Sequence, residues 1–239
     1  QKWSNKWQLD ISLEKTVIMF IGSNHPTNYS FFLDNKSLQV SETVSDLGIT
    51  YTRTLEFDLY IFKIIKAAYK RSNFILRAFS TKKLDTLFRL FSTFVRPLLE
   101  YCTPVWSPSK TGVIESIENV QKRFTYRIFT RNGIYRLPYE ERLCRLNTTS
   151  LHLRRIVYDQ NIIYKIVKGD VFIETEDLFA LSSFNERTRG HVWRFFMEKA
   201  RSQQFRDSFL IRSIRTWNNL PIRIVLSSSA TSFNNSVVT

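Results

Sequence analysis

The stretch Leu59-Tyr60-Ile61-Phe62-Lys63-Ile64-Ile65-Lys66-Ala67-Ala68-Tyr69-Lys70-Arg71-Ser72-Asn73-Phe74-Ile75-Leu76-Arg77-Ala78-Phe79 is where the chain changes its hydrophobic period. Before it, apolar residues come in short runs of the kind that form strands. Within it, Ile61, Ile65, Ala68, Ile75 and Phe79 follow helical spacing and give one apolar face. Beside that face Lys63, Lys66, Lys70 and Arg77 recur at intervals of three, four and seven, which aligns them as one basic stripe. The fold class expected is therefore α+β, predominantly α, with short β-hairpins followed by a helical bundle.

Working downstream, Leu84, Leu87, Phe88, Phe91, Phe94, Val95 and Leu98 predict a second helix. Pro97 should kink or end it, because proline has no amide donor and crowds the preceding turn. Ile114, Ile117, Val120, Phe124 and Ile128 predict a third helix, 139–146 a short fourth, and 151–167 a fifth stopped by Gly169. The tail opens with Glu174, Glu176 and Asp177, forms a helix over 207–217 that ends near Pro221, and runs out in a Ser/Thr/Asn stretch expected to fray. Upstream, 3–13 reads as a short helix and Val17 to Ile21 as a buried strand closed by Gly22 and the turn-forming Ser23 to Asn28. Residues 29–33 and 37–40 flank Asp34-Asn35-Lys36 as a hairpin, and 47–52 is a further strand. Three regions are expected: a β-rich 1–58, a helical bundle over 59–169, and a carboxy-terminal extension over 170–239.

The 239 residues carry a formal charge of +14, and its distribution is uneven. Residues 1–60 hold 5 Lys/Arg against 7 Asp/Glu, 61–169 hold 21 against 7, and 170–239 hold 9 against 7. The whole excess lies in the bundle, which favours a polyanionic partner over a uniformly basic solvated surface. Cys102 and Cys144 lie far apart and show no metal-ligand spacing, so they read as free thiols of a reducing compartment. No apolar run nears the roughly 20 residues of a membrane span, and the amino terminus lacks a secretion-signal layout. An intracellular location, nuclear or cytoplasmic, is the expectation.

Catalytic chemistry finds little support in the residues. There is no adjacent Asp-Asp pair, and Glu140-Glu141 and Glu176-Asp177 read as helix-dipole or solvated charges. His25, His152 and His191 are isolated, and no nucleophile motif or phosphate-cradling glycine loop occurs. Binding is better supported. Besides the stripe Lys63, Lys66, Lys70 and Arg77, the third helix repeats Arg123, Arg127 and Arg131 every fourth residue. Between Glu118 and Glu140 stand Lys122, Arg123, Arg127, Arg131 and Arg136 with no anion. Phe124, Tyr126, Phe129 and Tyr135 interleave with them. Cations neutralise phosphates without regard to sequence, and exposed aromatic rings stack on bases. The competing reading makes each stripe an ordinary solvated face and Phe124 and Phe129 plain core.

Several blocks, taken in order, resemble LINE-type (non-LTR, jockey-like) retrotransposon reverse transcriptases. Residues 7–9 and 15–20 (WQL…KTVIMF) resemble the stretch just after the catalytic Asp-Asp motif, and Asp46-Leu47-Gly48-Ile49 resembles the DLG element of the primer grip. Residues 95–101 (VRPLLEY) with 105–108 (VWSP), and 120–125 (VQKRFT), resemble later blocks; Tyr126 stands where the family usually has arginine. The series continues through 139–143, 151–155, 164–166, Arg187-Thr188-Arg189-Gly190-His191 and 217–221.

The resemblance implies the end of a polymerase palm, the primer grip at Leu47 and Gly48, and a thumb with its extension. It implies that the chain begins at Gln1 after the metal-binding aspartates. On this reading the piece alone has no cofactor and is not an enzyme, and its parent is an RNA-directed DNA polymerase using two divalent ions, magnesium by expectation. Lys15 would be the motif-D lysine, latent without the metal site. The partners implied are RNA, DNA or an RNA–DNA hybrid and the missing upstream polymerase domains, with no membrane. The alternatives are a trimmed part of an intact active polymerase, or a domesticated protein-interaction module using Phe91, Phe94 and Leu98.

Overall fold

The structure is a computed structural model that describes residues 2–22, 29–33, 35–182 and 191–238. The chain forms two compact units, Gln1–Phe62 and Lys63–Thr239, and the division falls inside one helix. The expected turn at 23–28 with His25, the tip residue Asp34, and the block 187–190 lie outside the described residues.

In the first unit, helix α1 (Lys2–Trp7) precedes β1 (Val17–Ile18), β2 (Phe32–Leu33), β3 (Lys36–Ser37), β4 (Gln39–Val40), β5 (Thr43–Asp46) and β6 (Ile49–Thr52). These strands make two-stranded pairs. β1 runs parallel to β4 with Val17 opposite Gln39, β2 and β3 form a hairpin with Leu33 opposite Lys36, and β5 and β6 form another with Asp46 opposite Ile49. The strand expected over Val17 to Ile21 is thus only two residues long. Lys36 belongs to a strand rather than to a turn. The strand expected from Leu47 starts at Ile49, because Leu47 and Gly48 are the two tip residues of the second hairpin. Their φ values are 46° and 84°. Positive φ at both central positions is the type I′ turn, whose twist matches that of the flanking strands. Leu47 is 81% exposed there.

The second unit takes residues 63–78 of α2 (Asp58–Ala78), then α3 (Leu84–Phe94), α4 (Arg96–Glu100), α5 (Thr103–Trp106), α6 (Thr111–Arg131), α7 (Tyr139–Arg145) and α8 (Leu151–Val167). Pro97 acts as expected. The chain breaks at Val95, and proline takes an early position of α4, where its missing amide costs no helical bond. Arg71 donates to the Phe94 carbonyl at 3.0 Å and so satisfies an oxygen at the end of α3. Leu87, Phe91, Val95, Leu99, Val120 and Phe124 are all buried. Phe91 stacks on Phe124 with ring centroids 4.7 Å apart. Phe94 projects outward.

Helix α8 has the bounds the sequence predicts, and both ends show why. Ser150 accepts a hydrogen bond from the Leu153 amide at 3.1 Å, an N-terminal cap. At the other end Gly169 has φ 72°, its amide reaches Ile166 O at 3.0 Å, and the Asp170 amide reaches Lys165 O at 2.9 Å. That pair of bonds is a Schellman motif, which needs a residue that tolerates positive φ.

The carboxy-terminal segment corrects three expectations. It continues as α9 (Thr175–Leu178), α10 (Gln203–Asp207), α11 (Phe209–Trp217), α12 (Ile222–Val225) and α13 (Ala230–Val238). It is not a region apart from the bundle, because it packs a second core onto the far end of α8. Ile163, Tyr164 and Ile166 join Phe179, Phe195, Ile214, Trp217 and Phe233 there. The Ser/Thr/Asn stretch expected to fray contains the helix α13. Phe233 is fully buried, 4.5 Å from the Tyr164 ring and 6.0 Å from Trp217, and it anchors α13 together with Ala230 and Val237, which pack against the same core. The single helix expected over 207–217 is instead interrupted at Ser208.

Two measurements test this description. Leu47→Asn should stabilise the β5–β6 hairpin by about 1 kcal/mol, because asparagine tolerates the left-handed region better than leucine; slower amide exchange in β5 and β6 would register it. His191 lies buried edge-on to Trp217, its Nε2 3.1 Å from the Trp217 carbonyl. Burial pulls its pKa below the ordinary imidazole value, against that hydrogen bond and helped by Arg194. The unfolded chain therefore takes up the proton first. Stability present above about pH 6.5 is lost as pH falls below it. Denaturant midpoints measured between pH 7.5 and 5.5 should show His191→Gln less stable at the upper end, with the gap narrowing on acidification.

Candidate nucleic-acid interface

The basic stripes of α2 and α6 belong to one unit and meet along their length. Arg123 lies over the Tyr69 ring at 5.3 Å, and Arg127 donates to Asn73 Oδ1 at 2.6 Å. Arg131 donates to Phe79 O at 2.9 Å and to Leu76 O at 2.5 Å. Each step of four along α6 advances about one turn along α2, so the two helices run side by side in the same direction. The arginine ladder therefore forms their seam. Arg131 is drawn furthest into structural work, since a guanidinium on the last carbonyls of α2 satisfies orphan acceptors and opposes the helix dipole.

The stripe on α2 has a different setting. Lys63, Lys66, Lys70 and Arg77 are exposed, and among the described residues none has a hydrogen-bond or ion-pair partner. Lys63 and Arg77 stand fourteen positions apart, roughly 21 Å of helix. No carboxylate occurs between Asp58 and Asp85, or between Glu118 and Glu140. Like charges held this close repel one another. An arrangement with no acid to relieve them raises the affinity for an external polyanion.

Lys122 is half-buried, its Nζ 5.4 Å from the centre of the Tyr139 ring, and Arg136 sits exposed in the loop after α6 with φ 56°. Lys15 is exposed in the turn before β1, and Leu47 and Gly48 form a hairpin tip; all three belong to the first unit. The four interleaved aromatics divide evenly. Phe124 and Phe129 are core, while Tyr126 and Tyr135 are exposed.

Sequence reasoning missed the polar cluster that positions α7. Glu118 is buried on α6, yet its carboxylate accepts from the Leu151 amide at 3.1 Å, the His152 amide at 3.0 Å and the Tyr139 hydroxyl. Burial, then Glu118, push the Tyr139 phenol above its ordinary pKa. Arg142, also buried, donates from Nη1 to Lys122 O and Thr125 Oγ1, both at 2.7 Å. Its guanidinium lies over the rings of Tyr126 (5.8 Å) and Tyr139 (5.3 Å). The available signal was slight: Glu118 follows Ile114 by four residues and so borders the apolar face of α6.

Among the described residues no three His, Cys, Asp or Glu side chains are grouped so as to hold a metal ion. Cys102 and Cys144 are exposed free thiols. No described helix is long and apolar enough to cross a membrane.

The chain is 27% identical over 127 residues to the uncharacterized protein B0403.1 of Caenorhabditis elegans, an overlap covering 53% of this chain and 64% of that protein. The chain thus spans less than two thirds of that relative's length. No protein-family model and no solved structure matches it.

The ladder makes a structural prediction. Arg131→Ala should destabilise the second unit by about 1–2 kcal/mol by leaving two carbonyls at the end of α2 without a protein donor. Arg131→Lys should recover only part of the loss, since one ammonium lacks the fork that bridges both oxygens. Urea midpoints of the three proteins would decide it; equal midpoints would remove Arg131 from the account.

Proposed function

We propose that this chain is the nucleic-acid-holding, carboxy-terminal part of a retrotransposon RNA-directed DNA polymerase, with α2 and α6 as a thumb-like grip on a phosphate backbone. The observation that carries this reading is the row Lys63, Lys66, Lys70 and Arg77, exposed and without a partner among the described residues. The arginine ladder beside it keeps α2 and α6 in register, and the ordered sequence blocks supply the family. The polymerisation chemistry belongs to aspartates outside this chain, and Lys15 would serve it only in their company. An intracellular location and the partners RNA, DNA or their hybrid belong to the same proposal.

The grip should be electrostatic and indifferent to sequence. Each phosphate neutralised releases condensed counterions, so affinity falls with salt at a log–log slope of about −0.9 per contact on B-form DNA. Fluorescence anisotropy on a labelled RNA–DNA hybrid from 50 to 250 mM salt is the test. The quadruple variant Lys63→Gln, Lys66→Gln, Lys70→Gln, Arg77→Gln should bind more weakly and flatten the slope by about three to four units. No binding by the parent chain at low salt, or an unchanged slope in the variant, would overturn the proposal.

A further inference from the structure

Tyr126 is the exposed member of a stack whose inner layers are fixed. Tyr139 is tied to α6 by its hydroxyl, which donates to Glu118 and accepts from Gln121 Nε2 at 2.9 Å. Arg142 is tied to the same helix by its two bonds from Nη1, and its guanidinium covers both tyrosine rings. Tyr126 is therefore backed by a held cation while remaining 49% exposed. An aromatic ring fixed in this way has already lost the rotamer freedom that ordering on a ligand would otherwise cost it. The adjoining side chains Lys122, Arg123 and Arg127 are all cations, and no carboxylate lies between Glu118 and Glu140.

Building on the nucleic-acid reading above, we infer that Tyr126 is a stacking platform for an unpaired base, set in a cationic surround that attracts the flanking phosphates. The face therefore selects single-stranded nucleic acid, or the unpaired end of a duplex, over a continuous double helix. The reason is geometric. Inside a duplex both faces of every base are covered by neighbouring pairs, whereas a single strand presents bare π-faces to a ring and its phosphates to the cations beside it. A purely electrostatic grip would instead favour the duplex, which carries the denser charge.

The test uses the 239-residue chain, a 20-nucleotide oligo(dT), a blunt duplex of equal length and one ionic strength. Tyr126→Ala should weaken oligo(dT) binding by about tenfold or more, leaving duplex affinity and the salt slope for either nucleic acid as in the parent. Tyr126→Phe, which keeps the ring, should bind oligo(dT) like the parent. A strand carrying 2-aminopurine should lose emission on binding the parent and the Phe variant, and retain it with the Ala variant. Equal oligo(dT) affinity for parent and Tyr126→Ala, or an equal loss on both nucleic acids, overturns the platform. If the parent binds while Tyr126→Ala is silent, the phosphate grip stands and only the platform falls. If the parent binds neither nucleic acid at low salt, both fall.

Discussion

A single buried carboxylate, Glu118, sets the arrangement of the second unit. Placed among the apolar residues of α6, it would be costly to ionise unless donors surrounded it. They do: two amides from the first turn of α8 and the phenol of Tyr139 converge on it. The start of a helix is where backbone donors lack partners and the dipole favours an anion. One side chain thus fixes where α8 begins relative to α6, and through Tyr139 it fixes α7. Removing it would leave donors of two helices, α7 and α8, without their acceptor.

The same economy of charge extends along α8. Arg154 and the Tyr158 hydroxyl both bind Glu100 of α4, and Arg212 of α11 binds Asp159 through Nε at 2.8 Å and Nη2 at 3.2 Å. Between these pairs lies Arg155, 1% exposed, whose guanidinium has Glu118, Glu100 and Asp159 for countercharges. Burial lowers the Arg155 pKa, and these three acids oppose the shift. Acids that might have served chemistry are engaged in holding helices together. The cations outnumber them, and the surplus faces outward on α2 and α6.

That division gives the binding proposals their physical content. Arginines of α6 that meet α2 serve the seam, and the lysines that flank it on α2 have no such employment. A surface of this kind grips phosphate without reading sequence. Tyr126, backed by Arg142, is the element proposed to sense whether a base is paired.

The sequence alone determined the elements whose signals are local. The change of period at Leu59, the break at Pro97, the stop at Gly169 and the bounds of α8 were legible because each depends on residues within a few positions. The basic stripe on α2 was legible for the same reason: spacing along one helix places side chains on one face whatever packs on the other. What the tertiary structure decided depends on residues far apart in the chain. Periodicity placed Phe124 on the apolar face of α6 but could not separate Phe129, in the core, from Tyr126, at the surface; the side of α6 that each occupies matters only once its neighbours are in place. It could not show that Arg131 is drawn onto the end of α2, that Phe233 anchors a polar tail on Tyr164, or that Glu118 caps a helix more than thirty residues away. Those facts follow from burial, which makes an unpaired charge or carbonyl so costly that distant residues must supply its partner.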